Sequence, residues 1–233
     1  AADSPHRPLR QSCRRGLLAA AADPAGAGPR GRFDYLSLRQ SGGYAEFRNL
    51  ENTGSRPGAI QKDSTNDLTT ASGIALGLDW RRYNVPLRTE LEYFHDYRFD
   101  YNSQLLRTLP GTGSENNIEA DTVLVNAYYD IRLTDKWVPY IGGGIGFSSV
   151  RADSNFANFA TGQTESKVGS KEGFTWALAM GLNYFFSERW SAQIGYRYTN
   201  LPGLTIGQFS NGTKVGTEHF DKHELVLGIS WWF

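Results

Sequence analysis

The feature that most constrains the fold is the alternation of side chains over the final eleven residues of the sequence, 223–233. Every second residue from Leu225 onward is apolar, and the set is Leu225, Leu227, Ile229, Trp231 and Phe233. A period of two residues is typical of a β-strand with one apolar face. Because an exposed aromatic edge strand promotes aggregation in water, we expect this strand to close a barrel whose apolar face contacts lipid.

The same period recurs through the chain and predicts an all-β fold, an eight-stranded antiparallel up-and-down transmembrane β-barrel. Short turn signals lie at 84–86, 134–136 and 187–189, and polar stretches lie at about 51–69, 100–118, 151–170 and 201–217. Long and short connections therefore alternate, as they do in bacterial barrels. In the first strand the alternation slips at Gly42 and Gly43, which predicts a β-bulge.

Composition excludes several other classes of protein. The chain has 233 residues, which suits one domain, and it has no run of about 18 apolar residues that could form a transmembrane helix. Its 24 basic and 24 acidic residues give a formal net charge of +0, so there is no electrostatic footprint of nucleic-acid binding. Cys13 is the only cysteine, which excludes an intrachain disulfide and a Cys/His metal cluster.

Residues 1–31 differ from the rest of the chain because they are rich in Ala, Pro, Gly and Arg. We predict that 1–31 form a disordered N-terminal extension and that 32–233 form the barrel. Basic residues before the short apolar run 17–22 leave a leader-like segment as the alternative.

Alternation alone does not decide whether the apolar face points outward to lipid or inward to a core, as in a lipocalin-like barrel. Aromatic residues near the strand ends favour the lipid-facing arrangement, because such residues collect at membrane interfaces. Their two groups lie about ten residues apart along a strand, which corresponds to about 25 Å at a tilt of about 40°. The predicted interface aromatics are Trp80, Trp137, Trp176, Tyr184, Trp190 and Trp231.

The opposite face of the strands carries charged side chains, which this arrangement places in the lumen. An eight-stranded barrel is only wide enough to be filled by side chains, so arginines and carboxylates there are expected to pair across strands. The predicted lumen charge network comprises Asp79, Arg81, Arg88, Glu90, Glu92, Asp130, Arg132 and Arg197, and the same face carries Asp96, Arg98 and Glu224. A paired plug that closes the lumen is the preferred interpretation, and a gate that passes ions is the alternative.

No catalytic, cofactor-binding or metal-binding site is predicted. His95 lies near Ser103 and Asp96 in the sequence, but nothing around it forms a lipase motif, and a histidine at the membrane interface is the simpler interpretation. His219 and His223 lack a supporting Cys/His framework for a metal.

The end of the chain resembles the C-terminal assembly signal of bacterial outer-membrane barrels, in which a glycine precedes an aromatic residue and a final phenylalanine. Gly228, Trp231 and Phe233 occupy these positions. The pattern over about 32–233 resembles small barrels of the OmpA-like and opacity-type surface-antigen group.

This resemblance implies a non-enzymatic protein of the bacterial outer membrane that supports envelope integrity and presents surface loops for interaction or adhesion. The implied partners are outer-membrane lipid and lipopolysaccharide, the barrel assembly machinery, and a surface or envelope protein that contacts the long loops. No nucleic acid and no cofactor are expected. A narrow channel for ions or small apolar solutes and an outer-membrane lipid-modifying enzyme remain as alternative functions.

Overall fold

The described part of the chain is almost entirely β-strand. The computed structural model describes residues 33–48, 51–52, 66–104, 112–158, 162–203, 205–206, 215–216 and 219–233. The predicted extension 1–31, which includes Cys13, lies outside these residues. Among the described residues, no helix has the length and apolar character needed to cross a bilayer.

Eight strands form a closed barrel in which each strand is antiparallel to its two neighbours. Their bounds are β1 (Tyr35–Arg48), β2 (Asn66–Asp79), β3 (Leu87–Gln104), β4 (Thr112–Asp130), β5 (Trp137–Asn158), β6 (Gln163–Phe185), β7 (Trp190–Pro202) and β8 (His219–Trp232). Consecutive strands pair, and β8 pairs with β1, so the chain runs up and down around the barrel. The predicted fold class is confirmed.

The pairing register sets the width and tilt of the barrel. A path that steps through paired residues from Tyr35 returns to β1 at Ala45, ten residues further along the strand. The steps are Tyr35, Gly77, Glu90, Asn126, Gly144, Ala177, Thr199, Lys222 and Ala45. A shear of ten residues over eight strands corresponds to a strand tilt of about 40° and to an interior that side chains can fill.

The two ends of the barrel differ. Short connections at 80–86, 131–136 and 186–189 lie at one end, which we call the short-turn end. The other four connections lie at the opposite, long-loop end, where Glu51–Asn52, Thr205–Ile206 and Val215–Gly216 form a short separate sheet. In bacterial barrels the short turns face the periplasm and the long loops face the exterior.

The first short connection is longer than the predicted turn, because β2 ends at Asp79 and a 3₁₀ helix spans Trp80–Tyr83. The Asp79 carboxylate accepts a hydrogen bond from the Arg81 backbone amide at 2.9 Å and so caps this helix. Asn84 ends the helix in the left-handed conformation with φ of 61°, which asparagine adopts more readily than most residues.

The outer surface of the barrel is apolar and the interior is polar, so the lipid-facing arrangement is confirmed. Outward-facing Leu38 and Ile145 are 57% and 60% exposed. Arg39 and Asn126, which occupy the alternating positions, are buried in the lumen. A lipocalin-like barrel would have the reverse arrangement.

The β-bulge predicted at Gly42 and Gly43 is wrong, since β1 pairs without interruption with both neighbouring strands across these residues. The alternation slips there because β1 directs polar Gln40 outward and apolar Ala45 inward. An irregular register occurs instead in the β3–β4 pairing, within the interval Asp96–Phe99.

Two of the predicted polar loops, 100–118 and 151–170, are largely strand. β3 and β4 pair as far as Gln104 with Gly113, and β5 and β6 pair as far as Asn158 with Gln163. The outward face of these extensions is polar, as at Asn117, Arg151 and Asn155, so they lack the outward apolar residues that contact with lipid imposes. Sequence periodicity therefore gives no strand signal there.

Close packing inside the barrel makes glycine necessary on β2. A Cβ atom added at Gly77 would overlap the ring of Tyr35, whereas a Cβ at Gly42 meets nothing within 4 Å. We expect Gly77→Ala to lower the free energy of unfolding by roughly 1–3 kcal/mol, because the ring or the wall must shift. Gly42→Ala is the matched control, and urea unfolding of the refolded barrel in lipid vesicles measures both. Equal stability of the two variants would contradict the packing described.

Candidate functional site

Inward-facing side chains of five strands form a buried charge network in the lumen. Its members are Arg39 on β1, Arg88, Glu90, Glu92 and Asp96 on β3, Asp130 on β4, Arg197 on β7, and Lys222 and Glu224 on β8. Each of these residues is at most 5% exposed. Residues two apart on a strand project to the same side at successive heights, so the network extends along the barrel axis.

Arg88 joins two carboxylates in the part of the network nearest the short-turn end. Its Nη1 lies 2.8 Å from Glu90 Oε1 and its Nε lies 3.2 Å from Asp130 Oδ2. Arg88 also donates to the Tyr35 hydroxyl at 3.0 Å, and that hydroxyl donates to Glu90. The Tyr128 ring, with its centroid 4.9 Å from the guanidinium carbon, adds a cation–π contact.

Glu92 occupies the middle of the network and links opposite sides of the lumen. Arg39 pairs with Glu92 and also lies 2.7 Å from Glu90. The Asn126 amide donates to Glu92 Oε2 at 2.7 Å. Arg197 Nη1 lies 3.4 Å from the same oxygen, so one carboxylate joins β1, β4 and β7.

Glu224 and Asp96 form the part of the network nearest the long-loop end. Glu224 lies 3.0 Å from both Arg197 Nη2 and Lys222 Nζ, and it accepts a hydrogen bond from Ser41 at 2.6 Å. Lys222 also pairs with Asp96 through Oδ1. Asp96 Oδ2 has no hydrogen-bond partner among the described residues.

The buried charge network holds four cationic groups and five carboxylates. It therefore carries one excess negative charge when every member is ionised. An uncompensated charge in a water-poor interior is destabilising, and breaking a buried pair is more so. Glu90 Oε2 and Asp96 Oδ2 both lack a hydrogen bond, but Glu90 Oε2 lies 2.7 Å from the Arg39 guanidinium, whereas no cation among the described residues lies against Asp96 Oδ2. The imbalance is therefore placed near the long-loop end.

The structure brings five of the predicted lumen residues into this network, namely Arg88, Glu90, Glu92, Asp130 and Arg197. Asp79 and Arg81 pair with each other at the short-turn mouth, where Arg81 Nε lies 2.8 Å from Asp79 Oδ1 and both are only partly buried. Arg132 is exposed, because β4 ends at Asp130 and the alternation stops there. Its placement in the lumen is therefore wrong.

Alternation does not single out Arg39 and Lys222 as network members. Arg39 is obscured because its neighbour Gln40 is polar and faces outward, and Lys222 precedes the recognisable alternation of β8. The usable signal is the charge on this face of β3, which in the sequence carries three carboxylates and two arginines and so requires at least one cation from another strand. The side chains of Arg98 and Ser103 lie outside the described part of the structure.

The predicted interface aromatics lie on the outer surface. Those at the short-turn end are Trp80, Trp137, Tyr184, Trp190 and Trp231. Trp137 packs on Tyr184 with ring centroids 4.4 Å apart. Trp176 lies nearer the long-loop end, with its ring centroid 5.3 Å from that of Tyr198.

The three residues of the predicted assembly signal occupy two faces of β8 and its end. Trp231 and Phe233 face outward with ring centroids 4.9 Å apart. Gly228 pairs with Arg39, and a Cβ there would lie 3.3 Å from Arg39 Cγ. Recognition of these residues by the barrel assembly machinery stays a prediction.

A cleft of about 340 Å³ opens at the short-turn mouth. It is lined by Arg81, Asn84, Val85, Pro86, Asp130, Arg132 and Val138. Across the residues that the structure describes, no group of three or more His, Cys, Asp or Glu side chains is arranged to hold a metal ion. The cleft ends at Asp130, where the buried charge network begins to fill the lumen.

A closed barrel with an apolar exterior, aromatic residues at the strand ends and a filled, charged lumen has the architecture of a small outer-membrane β-barrel protein. The chain belongs to the outer membrane protein beta-barrel domain family, whose model matches residues 16–233. It is therefore a protein of the bacterial outer membrane, and the predicted membership of the small outer-membrane barrels is confirmed.

Three proteins illustrate these similarities. The outer membrane protein PagN of Salmonella typhimurium is 26% identical over 176 residues, which cover 69% of this chain and 72% of PagN. An uncharacterized protein of Brucella abortus is 27% identical over 192 residues, which cover 75% of this chain and 67% of that protein. The crystal structure of Neisserial surface protein A is similar with a TM-score of 0.45 and 15% identity, over 85% of this chain and 97% of that one.

Because the network has one excess carboxylate, substituting Lys222 and substituting Asp96 should not cost the same stability. We expect Lys222→Met to lower the free energy of unfolding by about 3–5 kcal/mol, because it leaves Asp96 without its cation. Asp96→Asn removes the excess charge and should be much less destabilising. Lys171→Met, at an exposed position on β6, is the control. Urea unfolding in lipid vesicles compares the variants, and equal losses for Lys222→Met and Asp96→Asn would contradict the charge count.

The filled lumen predicts that the purified full chain produces no large, steady single-channel currents in planar bilayers. Arg88, Glu92 and Arg197 lie across the path that ions would follow. Arg88 pairs with Asp130, and Glu92 pairs with Arg197. A heat-dependent shift on an unboiled gel verifies that the protein in the measurement is folded. Steady current steps from folded protein would favour the ion-gate alternative.

Proposed function

We propose that the protein is a non-enzymatic barrel that supports envelope integrity and presents its long-loop end for interaction or adhesion. The observation that carries the proposal is the extension of β3–β6 beyond the apolar band of the barrel. β5 and β6 have 22 and 23 residues, whereas β7 and β8 have 13 and 14. A chain that served only to cross the bilayer would not need the additional residues, since about ten per strand suffice.

The extended parts of the four strands form one sheet, which we call the protruding sheet. It consists of 99–104, 112–118, 150–158 and 163–171, and neighbouring segments pair in register. At about 3.3 Å per residue and a tilt of about 40°, the nine residues of β5 after Ser149 rise about 20 Å. The protruding sheet would therefore stand clear of the membrane surface.

The protruding sheet is polar and carries both signs of charge. Ser166 donates to the Asn155 side chain across the β5–β6 pair at 2.7 Å, and Lys167 Nζ lies 3.1 Å from Glu165. Arg151 is exposed at the base of the sheet. A solvated surface of mixed charge on a rigid scaffold suits contact with another protein, because loops and edges held by rigid elements commonly carry binding.

The barrel below the protruding sheet would provide the rigid base for such contact and contribute to envelope integrity. Ion pairs across the lumen, such as those of Glu92 with Arg39 and Arg197, connect strands that are not neighbours. In this proposal the outer surface contacts outer-membrane lipid and lipopolysaccharide, and the terminal strand contacts the assembly machinery. The ligand of the protruding sheet would be a surface or envelope protein.

The lipid-modifying enzyme has less support. The sequence places His95 beside Asp96, but adjacent strand residues point to opposite faces, and Asp96 faces the lumen. His95 instead contacts Asp121 on the outer surface, with Nδ1 2.8 Å from Oδ1. The Ser72 hydroxyl on the neighbouring strand donates to Gln40 Oε1 and accepts from Tyr97, so its proton is not directed to His95.

Shortening the β5–β6 hairpin tests the proposed function. Residues 152–169 are deleted, and Arg151 is joined to Ser170 through an Asn-Gly turn, because these two residues are paired and the turn suits a hairpin. We expect the shortened barrel to fold, with its heat-dependent gel shift retained. Adhesion of expressing bacteria to epithelial cell monolayers should fall to the level of cells without the barrel.

The matched control replaces Ser187, Glu188 and Arg189 with alanine, which changes polar residues at the short-turn end. This variant should keep the adhesion of the full chain, because its altered residues lie at the opposite end of the barrel from the protruding sheet. Undiminished adhesion by the shortened barrel would rule out the β5–β6 hairpin as the contact surface.

A further inference from the structure

A row of polar side chains crosses the lipid-facing surface of β1 to β4. Gln40 pairs with Ser72, Ser72 pairs with His95, and His95 pairs with Asp121. All four residues occupy the alternating positions that face outward, and we call them the outer polar row. Directly paired residues on one face of a sheet have Cβ atoms about 5 Å apart, so the row is continuous.

The outer polar row begins deep within the apolar band. Only Leu36 and Leu38 separate Gln40 from the short-turn end among the outward positions of β1. Because the pairing path climbs along the barrel from β1 toward β4, the row rises from Gln40 to Asp121. A polar residue at the depth of Gln40 is rare in membrane proteins and commonly has a function, and the ionisable His95 and Asp121 lie nearer the long-loop end.

Hydrogen bonds within the surface hold the row in place. Asp121 Oδ1 accepts from the Tyr93 hydroxyl at 2.6 Å and contacts His95 Nδ1 at 2.8 Å. The Tyr97 hydroxyl donates to Ser72 Oγ at 2.9 Å. These contacts fix the orientation of the carboxylate and the imidazole, since each is bonded on one side.

Three polar atoms of the row remain without a hydrogen-bond partner among the described residues: Gln40 Nε2, His95 Nε2 and Asp121 Oδ2. The side chains of His95 and Asp121 are 39% and 51% exposed on the lipid-facing surface. Hydrocarbon chains offer no hydrogen bonds, so leaving these atoms bare in the bilayer would be unfavourable. A ligand that reaches them must carry both apolar chains and polar groups.

The chemistry of the row indicates which polar groups fit. No Lys or Arg belongs to the row, so it provides no counter-charge for a phosphate. The amide of Gln40 donates at the low end of the row and the carboxylate of Asp121 accepts at the high end, which suits a lipid with more than one neutral polar group. Resting on the proposed contact of the outer surface with lipopolysaccharide, we propose that the His95–Asp121 end of the outer polar row binds the amide and hydroxyl groups just below the headgroup of an acyl-chain lipid, as in a glycolipid of the outer leaflet, with Gln40 deeper along its chains.

The test uses the full chain in detergent micelles with purified lipid A as the probe, since its acyl chains carry amide linkages and hydroxyls. The row variant combines Gln40→Leu, His95→Phe and Asp121→Leu, and native mass spectrometry counts the lipid A bound to each barrel. We expect binding to weaken about five- to tenfold, because several hydrogen bonds in an apolar environment are lost.

A second readout separates binding from a structural role. In phosphatidylcholine vesicles without lipid A, the row variant should resist urea at least as well as the natural chain, because its lipid face has become more apolar. Added lipid A should stabilise the natural chain and not the variant. A variant that is less stable in both kinds of vesicle would show that the row only braces the barrel, and would overturn the proposal.

His223→Phe is the matched control, because His223 also faces outward, bonds Tyr196 at 2.6 Å through Nδ1 and stacks on Tyr44, but lies on β8 outside the outer polar row. It should bind lipid A as the natural chain does.

Equal lipid A binding by the natural chain and the row variant would overturn the proposal. Competition by phosphatidylethanolamine as strong as that by lipid A would also overturn it. If the natural chain released a fatty acid from lipid A and this release required Ser72, the row would be a catalytic site and the binding proposal would be overturned. Shortening the β5–β6 hairpin leaves the row intact, so this result is separate from the test of the protruding sheet.

Discussion

Closure of β8 onto β1 is the constraint on which the rest of the structure depends. Hydrocarbon cannot hydrogen-bond to a strand edge, so every backbone group of the spanning segments must pair within the barrel. β1 and β8 satisfy this demand without a break from Tyr35 paired with Trp232 to Arg48 paired with His219. Once eight strands close with a shear of ten residues, the radius is set and the lumen must be filled by side chains. The glycine opposite the Tyr35 ring is one result of that filling.

Filling the lumen with charged side chains penalises incorrect strand registers, which filling it with apolar side chains would not do. A shift of one residue in a strand exchanges its two faces, and such a shift would bring Arg39 or Glu92 into contact with lipid. Arginine or lysine on the lipid face near the bilayer midplane costs about 2–4 kcal/mol, so the buried charge network penalises incorrect registers. A buried ion pair contributes little stability over apolar residues of the same size. Specification of the register is therefore the stronger physical reason for the network.

Sequence alternation predicts the strands wherever lipid contacts one face, and it fails where lipid contact ends. The extensions of β3–β6 carry polar residues on their outward face where the spanning segments carry apolar ones, so their sequence resembles that of loops. Arg132 continues the alternation of the inward polar residues of β4 in the sequence, but it lies beyond the last residue of that strand. The partners within the network depend on the shear, which no single strand encodes, and for that reason the contact of Lys222 with Asp96 could not be predicted. The charge of β3 alone predicts that at least one cation must come from elsewhere.

The departures from apolar alternation on the outer surface are confined to part of the circumference. Outward positions are free of charged residues from Trp137 to Phe147 on β5 and from Phe174 to Tyr184 on β6, whereas on β1 and β2 the polar Gln40 and Ser72 interrupt the apolar outward residues before Tyr44 and Leu68. A bilayer of uniform thickness does not match both sides, and thinning beside β1–β3 would relieve the mismatch without a specific ligand. The extent of bilayer thinning would depend on the height of the apolar band, whereas the affinity for a bound lipid would depend on individual polar atoms of the row. The Asp121 carboxylate is held by Tyr93 and His95 through Oδ1 alone, which leaves Oδ2 for a ligand and favours the second explanation.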